Sequence, residues 1–358
     1  MPASGNSPVR VWVVGFGTVG QWLVRALDGR AIEFQDRYGL RFRVVGLANR
    51  RDGFVYRDGG IDLRSALACA AEDRSLRELV GVRHWGTALE GIRATEADVL
   101  AEVSASPAVS GEPGRSHLEE ALRRGVPAVT SNKWPVALHG VELAELGRRH
   151  SAPLRAESTV MSGTPVLSTL SEGLAGAAPV ALRGVLNATA NYILSEMSRG
   201  SKYGEALAEA QRTGLAERDP GADVDGHDAV AKLMVLSALV FGHQLSLTEV
   251  TRRGISCITE QVVSEARSRG HRIREVATLE QRSGGGLAAR VEPVELEADD
   301  RLAGIDGTDN ALVCRVRPLG EITVIGPGAG IELAGQGVLS DLVNVALRRA
   351  EPRPADMT

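Results

Sequence analysis

Val9-Arg-Val-Trp-Val-Val-Gly15-Phe-Gly17-Thr18-Val19-Gly20 is the stretch that decides the architecture. Val9–Val14 is short, β-branched and apolar, as a buried strand should be, and it runs straight into glycine. Apolar positions at helical spacing follow over Gln21–Leu27, so the glycines stand where a strand turns into a helix. There Gly15 would allow the tight turn and Gly17 the approach of backbone to a pyrophosphate. Gly20 would let helix and strand pack closely, while the helix N-terminus faces the phosphate charge. The competing reading is a glycine-rich structural turn, because the chain has 41 glycines and G-x-G-x-x-G alone is a weak signal. Its placement between strand and helix favours dinucleotide binding.

Working outward, Arg43–Ala48 reads as a second apolar strand, and Ala97–Val103 and Pro127–Thr130 as two more, with helix His117–Arg124 between them. Strand and helix alternation of this kind predicts an α/β, mostly parallel, doubly wound sheet. The texture changes near Pro153. Lys202–Arg212 and Ala229–Val240 are amphipathic helices, and alternating segments between Ser283 and Arg317 predict antiparallel strands. Residues 8–150 with 326–350 are expected to form a Rossmann-like domain, and 151–325 an α+β catalytic and dimerisation domain. After Arg43–Ala48 comes Asn49-Arg50-Arg51, where a carboxylate would bind a ribose 2′-hydroxyl and arginine accommodates a 2′-phosphate. Arg50 and Arg51 therefore predict a preference for NADP over NAD; the alternative is two solvated surface arginines.

The 358 residues, 43% hydrophobic and 24% charged, suit a globular protein of two or three domains. A net charge of −4 and 4% aromatic residues argue against nucleic acid as a partner. No apolar run reaches membrane-span length, and three widely spaced cysteines suit a reducing, cytoplasmic setting without a disulfide framework or a zinc site.

More specific motifs lie further along: Thr130-Ser-Asn-Lys133, Glu157-Ser-Thr-Val-Met-Ser-Gly-Thr-Pro165, Leu186-Asn-Ala-Thr-Ala-Asn-Tyr-Ile-Leu194, Glu217-Arg-Asp-Pro-Gly-Ala-Asp-Val-Asp-Gly-His-Asp228 with Lys232, and Gly326-Pro-Gly-Ala-Gly330. In order and spacing these resemble the homoserine dehydrogenase family from roughly residue 9 to residue 348, in its short form without an appended regulatory domain. The resemblance implies NAD(P)-dependent interconversion of L-homoserine and L-aspartate 4-semialdehyde by a cytoplasmic homodimer, on the way to threonine and methionine. It implies Lys232 and Lys133 as catalytic lysines, Lys232 being the proton donor. Glu217, Asp223 and Asp228 would hold the substrate amino group, with Asp228 also orienting Lys232. Gly15, Gly17, Thr18, Val19, Gly20, Ser104, Lys133, Gly328 and Gly330 would meet the cofactor. Glu157, with the carbonyls of Val160, Ser162 and Thr164, would bind a monovalent cation, usually sodium.

The chemistry of the residues agrees with these roles. Reducing an aldehyde needs a proton for the developing alkoxide, and an ammonium beside that oxygen supplies it and stabilises the charge. Asp228 and Lys232 are i and i+4 on a predicted helix and share a face. A plain surface ion pair is the alternative, worth ~0.3–0.5 kcal/mol. Oxygen donors suit a hard cation; otherwise Glu157 simply satisfies backbone amides. His227 is expected to face solvent. The sequence departs from the family pattern at Trp134, at Ala188 and Ala190, and at Ala334-Gly335. These departures leave open a homologue acting on a related amino semialdehyde or amino alcohol, and, in a different class, a dinucleotide-binding sensor without catalysis.

Overall fold

In the computed structural model, which describes residues 7–350, Val9–Val14 is the strand that organises the first half of the chain. The strands β1 (Val9–Val14), β2 (Phe42–Asn49), β3 (Gly53–Tyr56), β4 (Arg83–Trp85), β5 (Val99–Glu102), β6 (Ala128–Thr130) and β7 (Leu154–Arg155) form one sheet in the order β4-β3-β2-β1-β5-β6-β7. β1 pairs in parallel with β2 and β5, and β5, β6 and β7 continue in parallel. β3 and β4 add an antiparallel edge.

Residues of β1 alternate between two cores, which explains its uninterrupted apolar run. Val11 and Val13 pack with Leu23 of helix α1 (Thr18–Gly29) on one face. Trp12 and Val14 pack on the other with Leu118 and Leu122. Helices α2 (Ala31–Tyr38), α3 (Leu63–Ala71), α4 (Ala88–Ala94), α5 (Gly114–Arg123) and α6 (Lys133–Arg149) complete this part of the chain. In register, Val14 stands beside Ala48 and Glu102, so β1, β2 and β5 end together where the glycine loop begins.

A single turn, α7 (Ser158–Met161), precedes a second sheet. Its strands are β8 (Ala178–Val185), β9 (Val250–Arg252), β10 (Arg272–Gln281), β11 (Leu287–Leu296), β12 (Asp309–Arg317) and β13 (Gly320–Pro327), in the order β13-β12-β8-β10-β11-β9. β9 alone pairs in parallel. Helices α8 (Ala188–Arg199), α9 (Tyr203–Arg212), α10 (Gly221–Val224), α11 (His227–Val240) and α12 (Glu260–Ser268) go with it. The last helix, α13 (Ile331–Ala350), returns to the first core through Val338 and Leu342.

Contacts divide the chain into two units, one comprising 1–135, 142–158 and 331 onward, the other 136–141 and 159–330. Three boundaries differ from the sequence reading. Residues 151–158, expected with the second domain, stay with the first unit, where Leu154–Arg155 pairs with β6. Residues 326–330, expected with the Rossmann-like domain, stay with the second unit because β13 pairs with β12 as far as Pro327. The middle of α6 also belongs there: Gln244 donates to the Ala137 carbonyl at 2.5 Å and accepts from the Val141 amide at 3.3 Å. Strand β10 was hidden in the sequence because Arg274 and Glu275, successive and charged, are both buried and break the alternation.

Candidate active site

Within the first unit the glycine loop forms one wall of a cavity of about 640 Å³. Gly15 has φ +104°, and a Cβ there would lie 2.4 Å from the Ser104 amide nitrogen, so only glycine fits between β1 and the chain leaving β5. A Cβ on Gly20 would lie 2.2 Å from the Gly15 carbonyl oxygen, which makes Gly20 a packing position under the loop. Gly17 has open space where a Cβ would be. Among the residues expected at a cofactor, Gly15, Gly17, Thr18, Val19, Ser104 and Arg50 line the cavity. This backbone-lined cradle at the start of α1 fits a pyrophosphate.

The two arginines part company. Arg50 lines the cavity, whereas Arg51 pairs with Asp73 at 2.5 Å and donates to the carbonyls of Asp73 and Arg74. Asp52 is buried and turned inward, accepting from Ser75 Oγ at 2.7 Å, Asn49 Nδ2 at 2.8 Å and the Leu76 amide at 3.1 Å. Burial opposes its charge, yet these bonds and Arg51 hold its carboxyl below the ordinary value. The first carboxylate after β2 is thereby committed to Asn49 of its own loop and to the turn after α3.

The second unit gathers the other chemistry around Lys232. Its Nζ is 3.0 Å from Asp228 Oδ2, one helical turn earlier on α11, and donates to the Leu186 carbonyl at 2.6 Å. Lys232 is 8% exposed, so the pair is no solvated surface bridge. Asn187, which caps α8 by accepting from the Ala190 amide at 2.7 Å, donates to Asp223 Oδ1 at 2.8 Å and Asp228 Oδ2 at 3.0 Å. Asn310 of β12 also donates to the Leu186 carbonyl, at 2.8 Å. Asn187 thus ties together two of the three carboxylates that the sequence assigned to the substrate amino group. Burial raises the Asp223 carboxyl above its ordinary value, and the bonds from Asn187 and Thr189 pull against it.

Three members of this cluster were missed in the sequence: Asn187, Asn310 and Glu275. Asn187 lies inside a quoted motif, and its position just before a helix was a legible cap signal. Glu275 carried no signal. It is 2% exposed, neither carboxyl oxygen has a hydrogen-bond partner among the described residues, and Oε1 lies beside Gly226, which precedes α11. Burial, reinforced by Asp228 and Asp223, pushes its carboxyl up to about 8.

Other expected residues stand apart. Glu217 is exposed on the loop before α10, and His227 is exposed as expected. Lys133 is half-buried at the start of α6 in the first unit, behind Asn132, which donates to Glu102 Oε2 at 3.1 Å and Ser106 Oγ at 2.7 Å. Glu157, also of the first unit, is buried, and its amide donates to Asp341 at 2.8 Å. In the second unit, Val160 lies in α7, Ser162 has φ +52°, and Ser162 and Thr164 donate side-chain hydrogen bonds to the carbonyls of Gly328 and Pro327. Gly328 packs so closely on Asn310 that a Cβ would fall 2.2 Å from its side chain, and Gly330 has φ +142° just before α13.

Comparison with known proteins places these features. The family model described as homoserine dehydrogenase matches residues 165–343, and that of the homoserine dehydrogenase NAD-binding domain matches 15–157. An NAD(+)-dependent homoserine dehydrogenase of Pseudomonas canavaninivorans is 34% identical over 333 residues, 93% of this chain and 95% of the relative. The chain belongs to the homoserine dehydrogenase family. A homoserine dehydrogenase of Methanocaldococcus jannaschii is 30% identical over 93% of this chain and 97% of its own. A hyperthermophilic archaeal homoserine dehydrogenase solved in complex with NADPH superposes with a TM-score of 0.80 at 29% identity, covering 97% of this chain and 99% of that one. One departure from the homoserine dehydrogenase pattern has a structural reason here. A Cβ on Gly335 would lie 2.2 Å from the ring of Trp22, so the small residue in α13 makes room for a bulky one in α1.

Proposed function

We propose that the protein is a pyridine-nucleotide-dependent homoserine dehydrogenase, interconverting L-homoserine and L-aspartate 4-semialdehyde. The observation that carries this reading is the buried Lys232 ammonium held between Asp228 and the Leu186 carbonyl. A reduced nicotinamide cofactor held by Gly15, Gly17, Thr18, Ser104 and Arg50 of the first unit would supply a hydride for the aldehyde carbon. Lys232 donates the proton to the oxygen of that carbon; two of its three N–H bonds are fixed on Asp228 and Leu186, which aims the third. In the oxidative direction the same nitrogen takes the proton back. Asp223, kept in place by Asn187, accepts the substrate ammonium, with Glu217 contributing from the loop before α10. Lys133 serves as the second catalytic lysine.

The preferred cofactor is NADP. Arg50 lines the cleft, and among the described residues no carboxylate does, since Asp52 is bonded to Asn49, Ser75 and Leu76. A guanidinium there can grip a 2′-phosphate with parallel hydrogen bonds. The role given in the sequence to Arg51 passes to Arg50, because Arg51 is engaged by Asp73. Glu157 and the carbonyls of Val160, Ser162 and Thr164 are the proposed ligands of a sodium ion, on the strength of an all-oxygen donor set. The active species is a homodimer. Among the described residues no helix is long and apolar enough to cross a membrane.

The test is absorbance at 340 nm with purified protein, L-homoserine and each oxidised cofactor. Reduction of NADP, and more slowly of NAD, is expected. No absorbance change with either cofactor overturns the assignment, and would leave a nucleotide-binding protein without this activity.

A further inference from the structure

The second unit contains another polar cavity, distinct from the Lys232 cluster. Ser195, Ser198 and Arg199 of α8, Arg272 and Arg274 at the start of β10, and Asp306 line a cleft of about 280 Å³. Asp306 is the carboxylate in this lining, and Arg199 is also paired with Glu196 at 2.5 Å, so the guanidinium groups short of a partner are those of Arg272 and Arg274. Asp306 is bonded directly to Arg199 and stands 3.8 Å from Arg274, beyond hydrogen-bond reach. Arg274 is only 2% exposed; one of its nitrogens donates to the Ile273 carbonyl at 3.2 Å, and its Nε has no hydrogen-bond partner among the described residues. Arg272 donates to the His271 carbonyl at 2.9 Å and has no carboxylate within ion-pair distance among the described residues. Burial brings Arg274 down to about 10, and the neighbouring charges of Arg272 and Arg199 press the same way against Asp306.

A buried guanidinium with an unmet donor and two cationic neighbours is costly unless an anion completes it. Planar guanidinium forks recognise carboxylate and phosphate through paired hydrogen bonds. None of the lining residues belongs to the glycine-loop cleft or to the Lys232 cluster. We propose that this cleft is a binding site for a small oxyanion, a carboxylate or a phosphate, held by Arg272 and Arg274 at a wall that Arg199 completes. The site adjoins the catalytic unit through α8, which carries Arg199 in its last turn and Asn187, the residue joining Asp223 and Asp228, as its cap.

The experiment is thermal unfolding of the full chain titrated with inorganic phosphate and, separately, with acetate, each against sodium chloride at matched ionic strength. A saturable rise in Tm of about 2 °C at ten times Kd is expected for the anion that fits, and none for chloride. Whichever probe gives the rise identifies the class. Arg272→Gln, at a half-buried position that should tolerate it, removes the rise while the protein still melts cooperatively. Asp306→Asn, which removes the competing carboxylate, tightens Kd several-fold even if it lowers the starting Tm. A rise that survives in Arg272→Gln places the anion elsewhere and overturns the proposal, as does the absence of any rise with both probes.

Discussion

The two units make their candidate sites by opposite means. The cleft of the first unit is shaped by what is missing: Gly15 and Gly20 leave out side chains where a Cβ would collide with the Ser104 backbone and the Gly15 carbonyl, and Gly17 leaves its space open. The cluster of the second unit is shaped by what is packed in. Lys232, Asp228, Asp223 and Asn187 bond one another, with Glu275 buried beside them. A backbone-lined cleft suits a large ligand recognised through phosphates, whereas a dense polar cluster suits a small ligand whose proton must be handled. The first should therefore be damaged by adding atoms and the second by removing them.

The largest effect is expected from removal. Lys232→Ala should lower kcat ~10²–10⁴-fold, as loss of a general acid does, while the cofactor Kd measured by fluorescence stays within about twofold. Lys133→Ala should also abolish most turnover. If Lys232→Ala keeps more than about a tenth of kcat, the cluster does not supply the proton.

Addition comes next. Gly15→Ala puts a methyl group against Ser104 at a φ that disfavours alanine, and the displaced loop should cost ~10²-fold in kcat/KM for the cofactor, mostly through KM. A wild-type cofactor KM in that variant would mean the cleft is not the cofactor site. A smaller effect attaches to the one charged side chain after β2 that lines the cleft. Arg50→Ala should reduce NADP selectivity roughly ten- to a hundredfold and leave NAD kinetics alone, from a charge-assisted pair of ~1.5–3 kcal/mol; Arg51→Ala should change selectivity little.

The last effect concerns Glu275 and falls on stability, with no change in turnover needed to read it. Its carboxyl titrates near 8 in the folded protein, against about 4.5 in the unfolded chain. The folded state therefore holds a proton that the unfolded chain has lost between those values. Its contribution is complete below about pH 4.5 and is lost as pH rises through 8. Glu275→Gln has no such titration, so its Tm should climb relative to the unmutated protein between pH 5 and 8.5. A constant Tm difference across that range would show that Glu275 does not titrate there.

The same contrast governs how much could be read from the sequence. The cleft is local: strand, glycine loop and helix occupy one continuous stretch, and β1 has the bounds Val9–Val14 that the apolar run predicts. The fate of Arg51 was not legible, since it depends on Asp73 in the turn after α3. The cluster is assembled across the chain, from the end of β8, the cap of α8, α10, α11 and β12. The i, i+4 pairing of Asp228 with Lys232 was visible because one helix carries both. Their link through Asn187 and the burial of Glu275 depend on which strands meet. β10 was hidden for that reason: a charged residue on each of its faces masks the alternation that burial would otherwise show.

The central claim is that hydride passes from a nicotinamide to the aldehyde carbon of aspartate 4-semialdehyde. The most direct measurement is mass spectrometry of the product formed from this substrate with dihydronicotinamide cofactor doubly deuterated at C4. Homoserine one mass unit heavier, with the label on its hydroxyl-bearing carbon, is the predicted result. Unlabelled homoserine, or cofactor left unoxidised, would contradict it.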